Sequence, residues 1–217
     1  MDQVTNDLYS RQLGIIPPQK LEFPICIIGA GSIGSWLTLC LAKMGCTQLE
    51  VWDMDDVEEH NTPNQLYGGY GDPLKVGELS TLVKELSQKV IVGIPDKYDG
   101  AVLMGQLIIS AVDNMETRRK IFEGNSGLDK WLIDGRMGGN AIEIYIVRLN
   151  DPKQCEAYEK TLFTDAQAIP VPCSHRSVAY NGMTIAGYIS SVVAKIAMEE
   201  AVPQEIMVDM KNYLVLT

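Results

Sequence analysis

The residues with the clearest chemical potential form the string Gly29-Ala30-Gly31-Ser32-Ile33-Gly34, a G-x-G-x-x-G pattern directly after the apolar run Ile25-Cys26-Ile27-Ile28. Alone the string is weak. After a buried strand and at the opening of a helix it describes an anion seat: the glycines permit a tight turn and close approach, and the free N–H groups of the helix start face a phosphate. Asp53, 24 residues beyond Gly29 and at the end of the next apolar run, stands where a ribose hydroxyl would be held. The polar stretch that follows carries Asn61, Gln65 and then Lys75. A dinucleotide has no use for these, whereas the β- and γ-phosphates of a nucleoside triphosphate extend past the helix terminus and need added donors and a cation. Arg136, between glycines near a strand end, is placed to bind a substrate carboxylate or a phosphate.

These groups require a scaffold that alternates strand and helix. Ile25–Ile28, Leu49–Trp52, Leu107–Val112 and Trp131–Ile133 read as short buried strands, rich in β-branched residues. Between them, residues 33–44 and 74–86 have helical spacing, Gly45 is a C-cap, and Asn114 caps a helix running through Arg118. From Ala141 onward Ile142, Ile144 and Ile146 alternate with Glu143 and Tyr145, as in a half-exposed antiparallel strand. Met183–Glu200 is a helix, and Leu214–Leu216 a short edge strand. The pattern predicts an α/β, Rossmann-like doubly wound sheet, mostly parallel, with additional antiparallel strands at one edge. Residues 149–173 show no strong period and read as a long loop.

Composition narrows the partners. The 217 residues include 18 Lys+Arg and 28 Asp+Glu, a formal charge of -10, which disfavours nucleic acid and anionic membrane surfaces. Hydrophobic residues make up 46%, enough for a core, and no apolar run is long enough to span a bilayer. The start, MDQVTNDLYSRQ, has no apolar signal core. Cys26, Cys40, Cys46, Cys155 and Cys173 contain no C-x-x-C pair, so no zinc is expected and the protein reads as reduced and cytoplasmic. His60 and His175 are too isolated for a metal site and read as surface or capping residues.

Five segments in order resemble the HesA/MoeB/ThiF family of the ubiquitin-activating-enzyme superfamily. They are Tyr9-Ser10-Arg11-Gln12, the glycine loop, Asp53-Met54-Asp55-Asp56-Val57 followed by Asn61 to Gln65, Lys75, and Asp113-Asn114-Met115-Glu116-Thr117-Arg118. The resemblance covers roughly residues 9–120. It implies ATP-dependent adenylation of the C-terminal Gly-Gly carboxylate of a ubiquitin-like or sulfur-carrier protein. Gly29, Gly31, Gly34, Asp53, Asn61, Gln65, Lys75 and Asp113 would then bind the nucleotide. Asp113 would hold Mg²⁺, and Arg11 would reach the phosphates of the partner subunit in a homodimer. Some relatives use a cysteine in the loop covering the substrate tail, which makes Cys173, beside His175 and Arg176, the first candidate and Cys155 the second.

One adenylation domain over 1–217 is implied. Its parts are an N-terminal segment 1–24 with the arginine finger, a nucleotide-binding core 25–148, a covering loop 149–178, and a C-terminal helix and edge 179–217. The chain departs from the family at Asn64, where an arginine is usual, and at Thr62, where leucine is usual; Arg118, Arg119 or Arg136 would be the substitutes for the missing cation. An NAD-dependent oxidoreductase would share the loop and Asp53 but leave Lys75, Asp113 and Arg11 unexplained. A non-catalytic scaffold for a ubiquitin-like partner is the reading that Asn64 favours.

Overall fold

The computed structural model describes residues 8–69, 71–163 and 178–217. Chain order is β1 (Ile25–Ile28), α1 (Gly34–Met44), β2 (Leu49–Trp52), α2 (Lys75–Ser87), β3 (Val92–Ile94), β4 (Leu107–Ser110), α3 (Met115–Asn125), β5 (Trp131–Gly138), β6 (Ala141–Arg148), α4 (Pro152–Glu159), α5 (Ala179–Ala197), β7 (Glu205–Asp209) and β8 (Leu214–Leu216). The strands form one sheet in the order β3-β2-β1-β4-β5-β6-β7-β8. The first five are parallel, and β6, β7 and β8 join antiparallel at one edge.

The apolar strands are continuous runs because both sheet faces are covered. Ile25, Ile27, Leu107, Ile109 and Ile133 pack on Leu37 and Leu41 of α1, Leu79 and Val83 of α2, and Ile185 and Ile189 of α5. Their alternate neighbours Cys26, Ile28, Ile108 and Leu132 pack on Ile121 and Phe122 of α3 and Tyr158 of α4. Each fully buried Leu or Ile stabilises the fold by ~1.5–3 kcal/mol. The order reverses at β1: the chain moves outward through β2 and β3, then crosses to β4 on the other side of β1. A ligand crevice is expected at that reversal, outside the carboxyl ends of β1 and β4.

Three elements differ from the sequence expectation. Residues 149–173 are not all loop, because Pro152–Glu159 form α4; Asp151 accepts hydrogen bonds from the N–H groups of Lys153 and Gln154, and Pro152 opens the first turn. The helix is short and has only Tyr158 buried, so it carries no apolar stripe. The last helix spans Ala179–Ala197 rather than Met183–Glu200. The strand at Trp131 continues through Arg136 to Gly138, held by its full antiparallel register with β6. Strands β3 (Val92–Ile94) and β7 (Glu205–Asp209) were not among the expected elements. Among the described residues no helix is long and apolar enough to cross a membrane.

Candidate nucleotide site

The glycine loop leaves β1 at the sheet reversal. Its three glycines do different work. Gly29 has φ +99°, and a Cβ there would lie 2.6 Å from the carbonyl oxygen of Ala111, beyond β4. A Cβ on Gly34 would lie 1.9 Å from the carbonyl oxygen of Gly29, so Gly34 lets α1 start hard against the loop. A Cβ on Gly31 would meet nothing within 4 Å. Gly29 and Gly34 are thus required by the fold itself, while Gly31 faces the open space where a ligand would lie.

Asp53 follows β2 and reaches the loop. Its Oδ2 accepts the Ala30 N–H at 2.7 Å and its Oδ1 accepts the Asp55 N–H at 2.9 Å. Burial raises the Asp53 pKa above the ordinary value, while the Ala30 N–H, Lys75 and the Asp55 N–H pull the other way. Lys75 is buried at the first turn of α2. Its Nζ sits 2.7 Å from Asp55 Oδ2 and 3.8 Å from Asp53 Oδ1. A cation in the acidic crevice is therefore held in place by the two carboxylates of the D-x-D segment.

The segment carrying Asn61 and Gln65 is fastened to the loop. The Asn64 carbonyl accepts from Ser32 Oγ at 3.0 Å and Trp36 Nε1 at 3.2 Å. The Tyr67 hydroxyl donates to the Ala30 carbonyl at 2.5 Å, and Leu66 N–H donates to Ser35 Oγ at 3.2 Å. Glu78 Oε1 accepts the N–H groups of Gly68 and Gly69, anchoring the far end. Asn61 ends a single 3-10 turn, Glu59–Asn61. The side-chain oxygens of Asn64 and Gln65 are buried without a partner. Rotating either amide by half a turn presents its NH₂ instead, which suits a phosphate oxygen.

Asp113 lies just beyond β4 and is exposed. Asn114 caps α3 by accepting the Thr117 N–H at 2.8 Å and so fixes the backbone next to it. Among the described residues no three His, Cys, Asp or Glu side chains converge on a metal position. Mg²⁺ does not require such a cage, since it is usually held by one or two carboxylates together with substrate phosphates and water. Asp113 fits that role.

Three other candidate arginines are engaged in contacts elsewhere in the fold. Arg136 is not past a strand end; it lies within β5 and is buried. Its Nε donates to Asp134 Oδ2 at 2.7 Å, and its other nitrogens donate to the Thr161 carbonyl and Oγ1, each at 3.0 Å. Arg118 is likewise committed to the fully buried Asp134 and to the carbonyls of Val112 and Gly135. Arg119 donates to the Leu162 carbonyl at 2.7 Å. The donors of Arg118 and Arg136 are drawn into the fold by buried acceptors, so neither stands in for the arginine missing at Asn64, and Arg119 is half-exposed and lies near Glu123.

Arg11 is exposed and lies at the far end of α1. The neighbouring Gln12 donates to the Met44 carbonyl at 2.7 Å, and Tyr9 lies against Gly45. The 11 residues of α1 separate it from its own glycine loop; at 1.5 Å per residue the helix is about 16 Å long. Cys155 is in α4, with its Sγ donating to the Leu149 carbonyl at 3.3 Å. Burial raises its pKa, as do Asp151 and Glu159, with Ser126 opposing, so it holds little thiolate. Cys173 and His175 lie outside the described residues, and His60 is an exposed side chain paired with Glu58.

A mostly parallel, doubly wound sheet with a glycine loop, an acid after the second strand and a carboxylate after the fourth has the architecture in which ligand crevices form at the strand reversal. The profile of the ThiF family matches residues 9–207, and the chain belongs to that family. Over 106 residues it is 32% identical to tRNA threonylcarbamoyladenosine dehydratase of Haemophilus influenzae, covering 45% of this chain and 41% of that protein. Over 148 residues it is 30% identical to adenylyltransferase and sulfurtransferase MOCS3-1 of Zea mays, covering 58% and 30%. The matches thus span less than half the length of these relatives. Among solved structures, PaaA superposes with TM-score 0.79 at 16% identity, over 100% of this chain and 73% of that one. The MccB of E. coli determined with ATP superposes with TM-score 0.75 at 14% identity, over 99% and 71%.

Proposed function

We propose that the chain activates a carboxylate by adenylation. ATP lies over the glycine loop, the carboxylate attacks the α-phosphorus, and pyrophosphate leaves. The open face of Gly31, in a loop that Asp53 holds while Lys75 is buried against Asp53 and the exposed Asp55, carries this reading, in a chain of the ThiF family. The protein's part is positioning and charge neutralisation. The α1 amides after Gly31 face the phosphates. Asp53, already oriented by the Ala30 N–H, takes the ribose. Asn61 and Gln65 turn amide N–H groups to the triphosphate. Lys75 exchanges part of its contact with Asp55 for phosphate oxygens. Asp113 would hold Mg²⁺, which when bound would neutralise phosphate charge.

The substrate we assign is the C-terminal Gly-Gly of a ubiquitin-like or sulfur-carrier protein. The name of the Zea mays relative, adenylyltransferase and sulfurtransferase, supports adenylation, as does the presence of ATP in an MccB structure. The name of the Haemophilus relative speaks of a tRNA nucleoside. A net charge of -10 opposes docking of so strong a polyanion. The working assembly is a homodimer, because Arg11 stands too far from its own loop to serve it.

Exchange of labelled pyrophosphate into ATP, in the presence of Mg²⁺ and a Gly-Gly-ended carrier protein, tests the proposal. Lys75→Ala and Asp113→Ala are each expected to lower exchange by about 10²–10³-fold, the usual effect of removing one preorganised charge contact. Cys173→Ala is expected to impair only a later acyl- or sulfur-transfer step. Tight NADH binding without ATP binding would overturn adenylation, and ATP binding without exchange would favour a scaffold. The dimer has its own test. Mixing inactive Arg11→Ala and Lys75→Ala subunits should restore activity to about a quarter of the native level, because half of the dimers then hold one complete site. No recovery on mixing would mean that Arg11 does not act across subunits.

A further inference from the structure

Asn181 occupies the first turn of α5 and has no solvent exposure. Its Nδ2 donates to the Gly139 carbonyl in the β5–β6 turn at 2.7 Å. That bond fixes the amide, because the nitrogen must face the carbonyl. Among the described residues its buried Oδ1 has no partner. The next residue, Gly182, packs on the glycine loop: a Cβ there would lie 2.4 Å from the Ser32 carbonyl oxygen and 3.1 Å from Trp36 Cδ1. Ser32 and Trp36 are also the residues that hold Asn64. The orphaned acceptor therefore sits at the seam between α5 and the phosphate loop, one residue from the loop backbone.

A buried acceptor left unmet is costly, and its natural complement is a donor. The two groups that react in the proposed adenylation supply none: a triphosphate and a carboxylate both present acceptors only. The ribose hydroxyls belong to Asp53. The acid substrate can supply the donor itself, since a peptide tail carries an N–H on its terminal residue. Building on the adenylation reading, we infer that Asn181 is a specificity-determining residue, whose Oδ1 accepts the backbone N–H beside the carboxylate being activated. Admitting the tail requires α5 to draw back from the loop at Gly182, where the present contact leaves no room even for a Cβ.

The test uses two acyl-adenylate mimics and the full chain in calorimetric titration. One is 5′-O-(N-acetylglycyl)sulfamoyl adenosine, which carries the N–H. The other is its acetoxyacetyl counterpart, in which an ester oxygen replaces that N–H. The native protein is expected to bind the amide about tenfold more tightly, and Asn181→Ala to lose the preference. Equal binding of both mimics by the native protein, or an undiminished preference in Asn181→Ala, would overturn the inference while leaving adenylation standing if ATP still binds. Failure of the native protein to bind ATP and both mimics would overturn adenylation and this inference together. If Asn181→Ala does not fold, the comparison on the native protein decides alone.

Discussion

Asp134→Ala should destabilise the protein by about 3–5 kcal/mol, the usual result of stranding a buried charge. That is a large part of the ~5–15 kcal/mol that holds an ordinary domain together. Asp134 is fully buried between two arginines. It accepts from Arg118 Nη1, from Arg136 Nε at 2.7 Å and from the Tyr158 hydroxyl at 3.1 Å. Arg136 also lies over the ring of Tyr145, 4.4 Å from its centroid. Without the carboxylate, two cations remain in a site already short of one negative charge. Urea denaturation followed by circular dichroism measures the loss, and a shift below ~1 kcal/mol would contradict the role assigned to Asp134.

The same group predicts a pH dependence. Burial alone would raise the Asp134 pKa, but Arg118 and Arg136 outweigh it and hold the pKa below its ordinary value. A carboxylate lowered in the folded state contributes stability fully above its unfolded pKa, ~3.9. That contribution falls away as pH drops through the lower folded value. The native protein should therefore lose stability steeply below about pH 4, and Asp134→Ala should lack this part of the acid limb.

Gly34→Ala and Gly31→Ala should fail in opposite ways. At Gly34 the new methyl would sit 1.9 Å from the Gly29 carbonyl oxygen, and both groups are backbone. No rotamer relieves that contact, so a destabilisation of about 3 kcal/mol or more is expected, at or beyond the upper end of ordinary overpacking. At Gly31 the methyl enters open space, and stability should change by less than about 1 kcal/mol. Nucleotide affinity should nevertheless fall at least about tenfold, because a phosphate packed against the loop amides leaves no room for a methyl. Thermal unfolding together with ATP titration separates the two. A Gly31→Ala protein that folds and binds ATP like the native chain would remove the loop from the nucleotide site.

Much of the scaffold was legible because it is written locally. Ile25–Ile28 and Leu107–Ser110 are contiguous apolar runs, Gly45 closes α1 in the left-handed region at φ 111°, and Asn114 caps α3 through its own side chain. Each signal needs only a few neighbouring residues. α4 escaped because its signal is a cap rather than a period, and β3 because Val92-Gly93-Ile94 is broken by a glycine. Asn181 bore no motif; it becomes notable only once Gly139 takes its nitrogen and leaves its oxygen bare.

By itself the sequence placed the candidate groups on local elements: the glycines in the loop after β1, Asp53 after β2, Lys75 at the start of α2 and Asp113 after β4. Tertiary structure decided which other charged residues remain available to join them. Arg136 looked poised for a ligand until β5 carried it inward to Asp134, alongside Arg118 from α3. The length of α1 sets Arg11 at the end opposite its own glycine loop, a position that the expectation of a role across subunits leaves open. The physical reason is the same in each case. A backbone pattern depends on near neighbours along the chain, whereas the partner of a charge depends on which distant elements the sheet order brings beside it.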